Sequence, residues 1–227
     1  MFLNRTIIGT AIYKNTIELL PPTNTGSLGS FYFPGTPGSN LNYTNDGAFA
    51  LGTGNFTVEW YNWISSDATN SFPRIFSLGS YPSAEIGCSV EGGSYYIWFN
   101  SNYIFSFEVT AYNVWAHIAI VRESGTLSIY YDGTRIYNAS HPDNLTNGSS
   151  PLFVGMEEGD NYTSFQGLIT DFHVVKGTAL YSGTSFQTTT ISSVQDTVIL
   201  VRPDNPLGPA PTNPGDLVTV FENGPYD

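Results

Sequence analysis

Cysteine, basic residues and charge in general are scarce in this chain. Of 227 residues, 1 is Cys, 7 are Lys or Arg, and charged residues make up 11%. One thiol, Cys88, excludes an intramolecular disulfide and a Cys-based zinc site. It sits in the strand-like run Ile86-Gly-Cys-Ser-Val90, with no neighbouring base, and reads as a small core residue rather than a nucleophile. With 19 acidic residues and a net charge of −12, the chain repels phosphate backbones, which argues against nucleic acid as a ligand. The acidity suits either the solubility of an aromatic-rich surface or a cation-rich setting. No apolar run approaches the length of a membrane-spanning helix. Met1-Phe-Leu-Asn-Arg-Thr-Ile-Ile8 has no basic leader or small-residue cleavage pattern, so no secretory signal is expected. The expected location is a cytoplasm, or a particle assembled in one. No capped segment carries a 3.6-residue apolar stripe, so helices are not expected either.

Turn formers and aromatics are abundant. Aromatics reach 15%, with 23 Gly and 14 Pro. This balance suits an all-β sandwich or barrel, and a chain of this length can bury one sizeable core. Asn55–Ile64 alternates, with Phe56, Val58, Trp60 and Ile64 on one side; Asn62 interrupts that side and needs a buried partner or a bend. Further strands are read at Phe31–Phe33, Arg74–Leu78, Ile86–Val90, Tyr95–Phe99, Tyr103–Val109, Pro151–Gly155, Gln166–Val175 and Asp196–Val201. Trp115–Tyr137 reads as three strands, the last two joined by Asp132-Gly133, the dipeptide favoured by a type I′ turn. Gln166–Val175 is apolar on both faces and is expected in mid-sheet.

Three parts follow from composition. Residues 1–27 form a lead-in with edge strands drawn from Ile7, Ile8, Ile12, Ile17 and Leu19, broken at Pro21-Pro22. Residues 28–202 form the body. Residues 203–227 form a tail containing Pro203, Pro206, Pro209, Pro211, Pro214 and Pro225. Its apolar patch, Leu217–Phe221, is suited to pairing with the lead-in or adding as a strand to a neighbouring subunit.

The ordered set Phe31-Tyr-Phe-Pro-Gly35, Gly52-Thr-Gly-Asn-Phe-Thr-Val-Glu59, Trp115–Arg122, Gly125–Gly133, Pro151–Gly155, Phe165–Val174 and Lys176-Gly-Thr-Ala-Leu-Tyr181 resembles the laminin G-like, concanavalin A-like domains. The form of the last motif looks like the variant common in virion proteins of bacteriophages and large viruses. The resemblance implies a jelly roll of two curved antiparallel sheets, with about six or seven strands each. It also implies that Asp171, on the Gly167-x-Ile-x-Asp strand, helps hold a structural calcium. The usual acidic partner is missing; Asn40 and Asn42 stand in its place as candidate ligands. The other reading is an Asp171 satisfied by hydrogen bonds.

Catalysis lacks its residues in the sequence. Glycosidases of this fold need two carboxylates flanking the scissile bond, and no acidic i, i+2 strand motif occurs. Glu157-Glu158-Gly159-Asp160 reads as a solvated acidic turn or a cation-binding loop. His117, His141 and His173 are the three histidines, and no nucleophile elbow accompanies them. Asp171 and His173 share a strand face and read as a hydrogen-bonded surface pair.

For sugar binding, the best local set is Tyr95, Tyr96, Trp98, Asn100, Asn102 and Tyr103, where flat rings lie beside amides. The competing reading is that these alternating aromatics are core. The expected function is a virion structural or decoration protein presenting a jelly roll, multi-copy, without enzyme activity or membrane insertion, and held to other virion proteins through its terminal arms. The alternative is a lectin-like domain attaching to surface glycans. Asn-x-Ser/Thr triplets at Asn4, Asn42, Asn55, Asn138, Asn144, Asn147 and Asn161 are read as chance occurrences or as glycosylation sites of a viral surface protein.

Overall fold

The computed structural model describes residues 29–43, 47–146, 150–157 and 163–203, together with the backbone of 219–221. The lead-in strands, the triplets at Asn4, Asn147 and Asn161, Glu158–Asp160 and the tail prolines beyond Pro203 lie outside the described residues.

Fourteen strands are described: β1 Ser30–Pro34, β2 Leu41–Tyr43, β3 Phe56–Ile64, β4 Arg74–Leu78, β5 Ile86–Glu91, β6 Ser94–Phe99, β7 Asn102–Glu108, β8 Trp115–Glu123, β9 Thr126–Tyr131, β10 Thr134–Ser140, β11 Leu152–Val154, β12 Gln166–Lys176, β13 Thr197–Val201 and β14 Thr219–Phe221. No helix occurs among the described residues. The strands form two antiparallel sheets. One has eight strands, in the order β10-β9-β8-β3-β12-β1-β14, with β13 also on β12; the other has six, β2-β11-β4-β5-β6-β7. The fold is the all-β, concanavalin A-like jelly-roll sandwich.

Period-two alternation decides which side chains meet between the sheets. Along β3, Phe56, Val58, Trp60 and Ile64 enter the core, where Trp60 and Phe172 both pack on Phe76 at ring-centroid distances of 5.1 Å. Asn62 finds its buried partners. Its Oδ1 accepts from Trp60 Nε1 at 2.8 Å, and its Nδ2 donates to the Tyr95 hydroxyl at 2.9 Å. Cys88 is fully buried in the same core. Asp132 and Gly133 turn with φ of 45° and 75°, the two positive values a type I′ hairpin requires.

Strand β12 does lie in mid-sheet. One side pairs with β3 throughout, while the other is shared by β1 at Gln166–Ile169 and β13 from Phe172 onward. A bulge between Thr170 and His173 separates these halves, and Asp171 occupies it with φ 52°. Strand β14 adds to β1, with Thr219 opposite Tyr32. The tail patch therefore pairs with the first strand of the body.

The irregular segment 177–196 crosses the outer face of the eight-stranded sheet as a strap. Tyr181 and Phe186 stack on each other and pack on Ala119, Val121 and Tyr130, while Ile191 packs on Tyr61 and Leu200. The six-stranded sheet keeps an outward face, which carries the candidate site.

Candidate functional site on the six-stranded sheet

Two tight hairpins build this face. Gly92 and Gly93, with φ of 55° and 80°, close the β5–β6 turn and set Ser89 opposite Tyr96 and Gly87 opposite Trp98. Asn100 and Ser101, with φ of 47° and 62°, close the β6–β7 turn and set Trp98 opposite Tyr103. In that register Tyr95, Ile97 and Phe99 point into the core, while Tyr96 and Trp98 point outward.

The outward rings form a continuous line. Tyr81 meets Trp98 edge-on at 5.6 Å, Trp98 meets Tyr103 at 5.9 Å, and Tyr103 meets Tyr96 at 5.6 Å. Tyr81 is 62% exposed and Tyr103 47%. Beside Trp98 a shallow cleft of about 10 Å³, room for a single water, is lined by Arg74, Ser77, Tyr81, Ala84, Gly87 and Ser101. Gly87 keeps it open: opposite Trp98 there is no side chain, and an added Cβ would stand 3.2 Å from the Phe76 carbonyl oxygen.

Arg74 lies at the base of the cleft, with its guanidinium 5.7 Å from the Trp98 ring centroid. Its Nε donates to Glu157 Oε2 at 2.7 Å, and Glu157 Oε1 accepts the Tyr81 backbone N–H. Glu157 is buried, so the first residue of the expected acidic turn is instead an internal counter-ion that positions both Arg74 and Tyr81. Among the described residues Arg74 Nη1 is buried without a hydrogen-bond partner.

The structure thus splits the sequence-chosen sugar set. Tyr96, Trp98 and Tyr103 belong to the ring line, and Asn102 lies exposed at the end of the hairpin, its Nδ2 donating to the Asn100 carbonyl at 2.7 Å. Tyr95 does not belong: it is 1% exposed and hydrogen-bonded to Asn62 inside the core, and its burial raises its pKa well above the ordinary tyrosine value. Asn100 does not belong either, since its side chain donates to Asp143 Oδ1 at 2.9 Å. Tyr81, Arg74 and Gly87 were missed. They come from another loop and two other strands, and only sheet pairing brings them to Trp98.

The calcium set is divided between the two sheets. Asp171 Oδ1 is 2.6 Å from Arg202, a guanidinium where a metal would sit. Asn40 precedes β2 and Asn42 lies on it, at the edge of the other sheet. Asn40 Oδ1 is buried without a hydrogen-bond partner, but a calcium ion wants six to eight oxygens with carboxylates among them. The only carboxylate of the set is committed to arginine, so these three residues do not fit the ion.

Asp171 and His173 are not a surface pair: both are fully buried, and the bulge turns them to different partners. His173 Nδ1 is 2.9 Å from Glu59 Oε1, and its Nε2 is 2.8 Å from the Thr197 hydroxyl. His117 Nε2 is 3.1 Å from Glu59 Oε2, to which Tyr181 also donates at 2.6 Å. Burial alone would push the Glu59 carboxyl up. The hydrogen bonds from both histidines, the nearby His117 charge and the Tyr181 hydroxyl outweigh that and hold it at about 2. This constellation uses acid–base residue types, yet it is sealed beneath the strap.

Solved structures share this architecture at low identity. A native heptameric SAP-like pentraxin from Limulus polyphemus superposes with a TM-score of 0.55 at 17% identity, over 87% of this chain and 96% of that one. A candidate carbohydrate-binding protein from Bacteroides ovatus gives 0.57 at 13% identity, over 87% and 58%. Domains LG4-5 of the mouse laminin α1 chain give 0.52 at 13%, over 74% and 48%. The chain thus spans about half of the laminin fragment and under three fifths of the Bacteroides protein. A comparison with curated proteins found no match. Residues 35–180 match the family model described as the concanavalin A-like lectin/glucanases superfamily, and the chain belongs to that family.

Proposed function

We propose that this chain is a non-catalytic carbohydrate-binding domain, and that its ligand lies along Tyr81, Trp98, Tyr103 and Tyr96. The observation that carries this reading is the outward line of aromatic rings, Tyr81 and Tyr103 exposed and Trp98 and Tyr96 half-buried, beside a cleft lined by an arginine and serines. The apolar C–H face of a pyranose packs on such a ring, and neighbouring polar groups orient its hydroxyls. Large exposed rings in contact with one another mark binding surfaces more often than chance exposure. The lectin description of the family and the Bacteroides neighbour support the reading at the level of the fold. The groups lining the cleft are an arginine, serines and aromatics, not the pair of carboxylates that glycoside hydrolysis uses.

Glycan-array screening followed by titration tests this. Trp98→Ala should weaken binding about tenfold or more while unfolding in urea stays a single cooperative transition. Tyr95→Phe should lower stability and leave affinity unchanged. Failure of the native chain to bind any glycan, or native affinity in Trp98→Ala, refutes the proposal.

A second reading places this domain on a virus particle, as a structural or decoration subunit held to other virion proteins by its terminal arms. It draws on the Lys176–Tyr181 form of the family motif and on β14, whose pairing with β1 supports strand addition as a use of the C-terminal arm. Co-purification with particle proteins is its test, and it is compatible with glycan binding.

A further inference from the structure

We propose that the cleft beside Trp98 selects sugars carrying an acetamido group, whose carbonyl oxygen accepts a hydrogen bond from Arg74 Nη1. This rests on the carbohydrate-binding reading and names the ligand class for the same site. Three observations point to it. Arg74 is 7% exposed, and among the described residues Nη1 has no partner although Nε donates to Glu157. A buried N–H left unpaired is costly and uncommon, so an acceptor is expected where the side chain meets the cleft. The surrounding wall, made of Tyr81, Pro82, Ala84, Gly87 and Trp98, is mostly apolar and suits a methyl group. An acetamido group presents a methyl and a strong neutral acceptor side by side. A hydroxyl offers no methyl and brings a donor of its own.

Charge decides against a carboxylate sugar. Glu157 already sits 2.7 Å from Arg74 Nε and cancels its charge. An incoming carboxylate would give up its water to meet a guanidinium that is already paired, with Glu157 nearby and a net charge of −12 on the whole chain. A neutral carbonyl avoids both costs. Tyr81 lines the cleft from the exposed 81–83 turn, and because Nη1 is closed to solvent the cleft must open for the group to reach it.

Titration of the full chain with chitotriose, its de-N-acetylated form, cellotriose and a glucuronate-containing trisaccharide tests this. Chitotriose should bind about tenfold tighter than cellotriose, the difference expected for one well-made hydrogen bond from a charged donor. Arg74→Lys keeps a cation against Glu157 but removes Nη1; it should erase the preference while cellotriose still binds. Ala84→Leu fills the cleft with Arg74 in place and should do the same, which guards against a folding defect in the first variant. Equal affinity for chitotriose and cellotriose, tightest binding of the glucuronate sugar, or a preference that survives both variants overturns the acetamido assignment and leaves sugar binding standing. No binding of any of the four, with none on the glycan array, overturns both.

Discussion

Glu59 is the most demanding single residue in the molecule. Its carboxylate lies 1% exposed and meets His117, His173 and Tyr181. Because its pKa falls from 4.5 unfolded to about 2 folded, its ionisation favours the native state. That contribution is fully present above about pH 4.5 and is lost as the pH falls toward 2, a span worth roughly 3 kcal/mol. Urea midpoints measured from pH 6 down to pH 2 should decline through that window. Glu59→Gln should be less stable at neutral pH and lose most of the decline there, since an amide cannot accept from all three donors without turning its own N–H groups on one of them. A decline of unchanged size in the variant would assign it to other carboxylates. Arg122 shows a different solution for a buried ion. Among the described residues it pairs with no carboxylate; it donates to the carbonyls of Leu51, Gly52, Gly54 and Asp143 and lies over Phe56 and Phe99. Neither arrangement can be read from sequence, where Glu59 and Arg122 are charged residues in otherwise apolar strands.

Among the elements, the strap over the eight-stranded sheet depends on the β9–β10 hairpin as much as on its own side chains. Phe186 N donates to the Gly133 carbonyl at 2.8 Å, Arg135 N to the Thr184 carbonyl at 2.9 Å, and the Tyr130 hydroxyl to the Gly183 carbonyl at 3.1 Å. Gly133 is therefore constrained twice, by a φ of 75° and by the strap: an added Cβ would stand 2.2 Å from the Phe186 carbonyl oxygen. Gly92 has a φ of 55° but open space around it. Gly92→Ala should cost about 1 kcal/mol, the price of left-handed backbone alone, and Gly133→Ala at least about 2 kcal/mol. The second variant should also speed hydrogen exchange at the Phe186 amide. Equal midpoints for the two variants would mean that the strap yields without cost. The Asp132-Gly133 pair was legible as a turn from sequence. Its role as the strap's anchor was not, because the partner lies some fifty residues further along.

At the scale of the whole molecule, β14 is the outer strand on one side of the larger sheet among the described residues, and its removal uncovers the edge of β1. An exposed edge presents unpaired N–H and C=O groups to other chains. A chain ending at residue 203 should therefore associate in a concentration-dependent way in analytical ultracentrifugation, and a synthetic peptide spanning 215–224 should reverse it. A truncated chain whose sedimentation coefficient, like that of the 227-residue chain, stays constant across concentrations would show that β14 is dispensable for closing that edge.

Local rules reach as far as the strands, their inward and outward faces and the tight turns. Phe56, Val58, Trp60 and Ile64 alternate because a pleated backbone sends successive side chains to opposite faces, and that needs no knowledge of partners. The family motifs extend the same information to the jelly roll. What the tertiary structure alone decided is which distant side chains share a neighbourhood. Arg74, Tyr81, Gly87 and Trp98 come from four separate segments. They meet because β4, β5 and β6 are adjacent in one sheet and because Glu157, buried beneath, draws the Tyr81 loop down. Tyr95 and Trp98 looked alike in sequence; register sent one to Asn62 and the other to solvent. Asp171 looked like a metal ligand until the fold placed Arg202 against it, because a buried carboxylate takes the nearest compensating cation that the packing supplies.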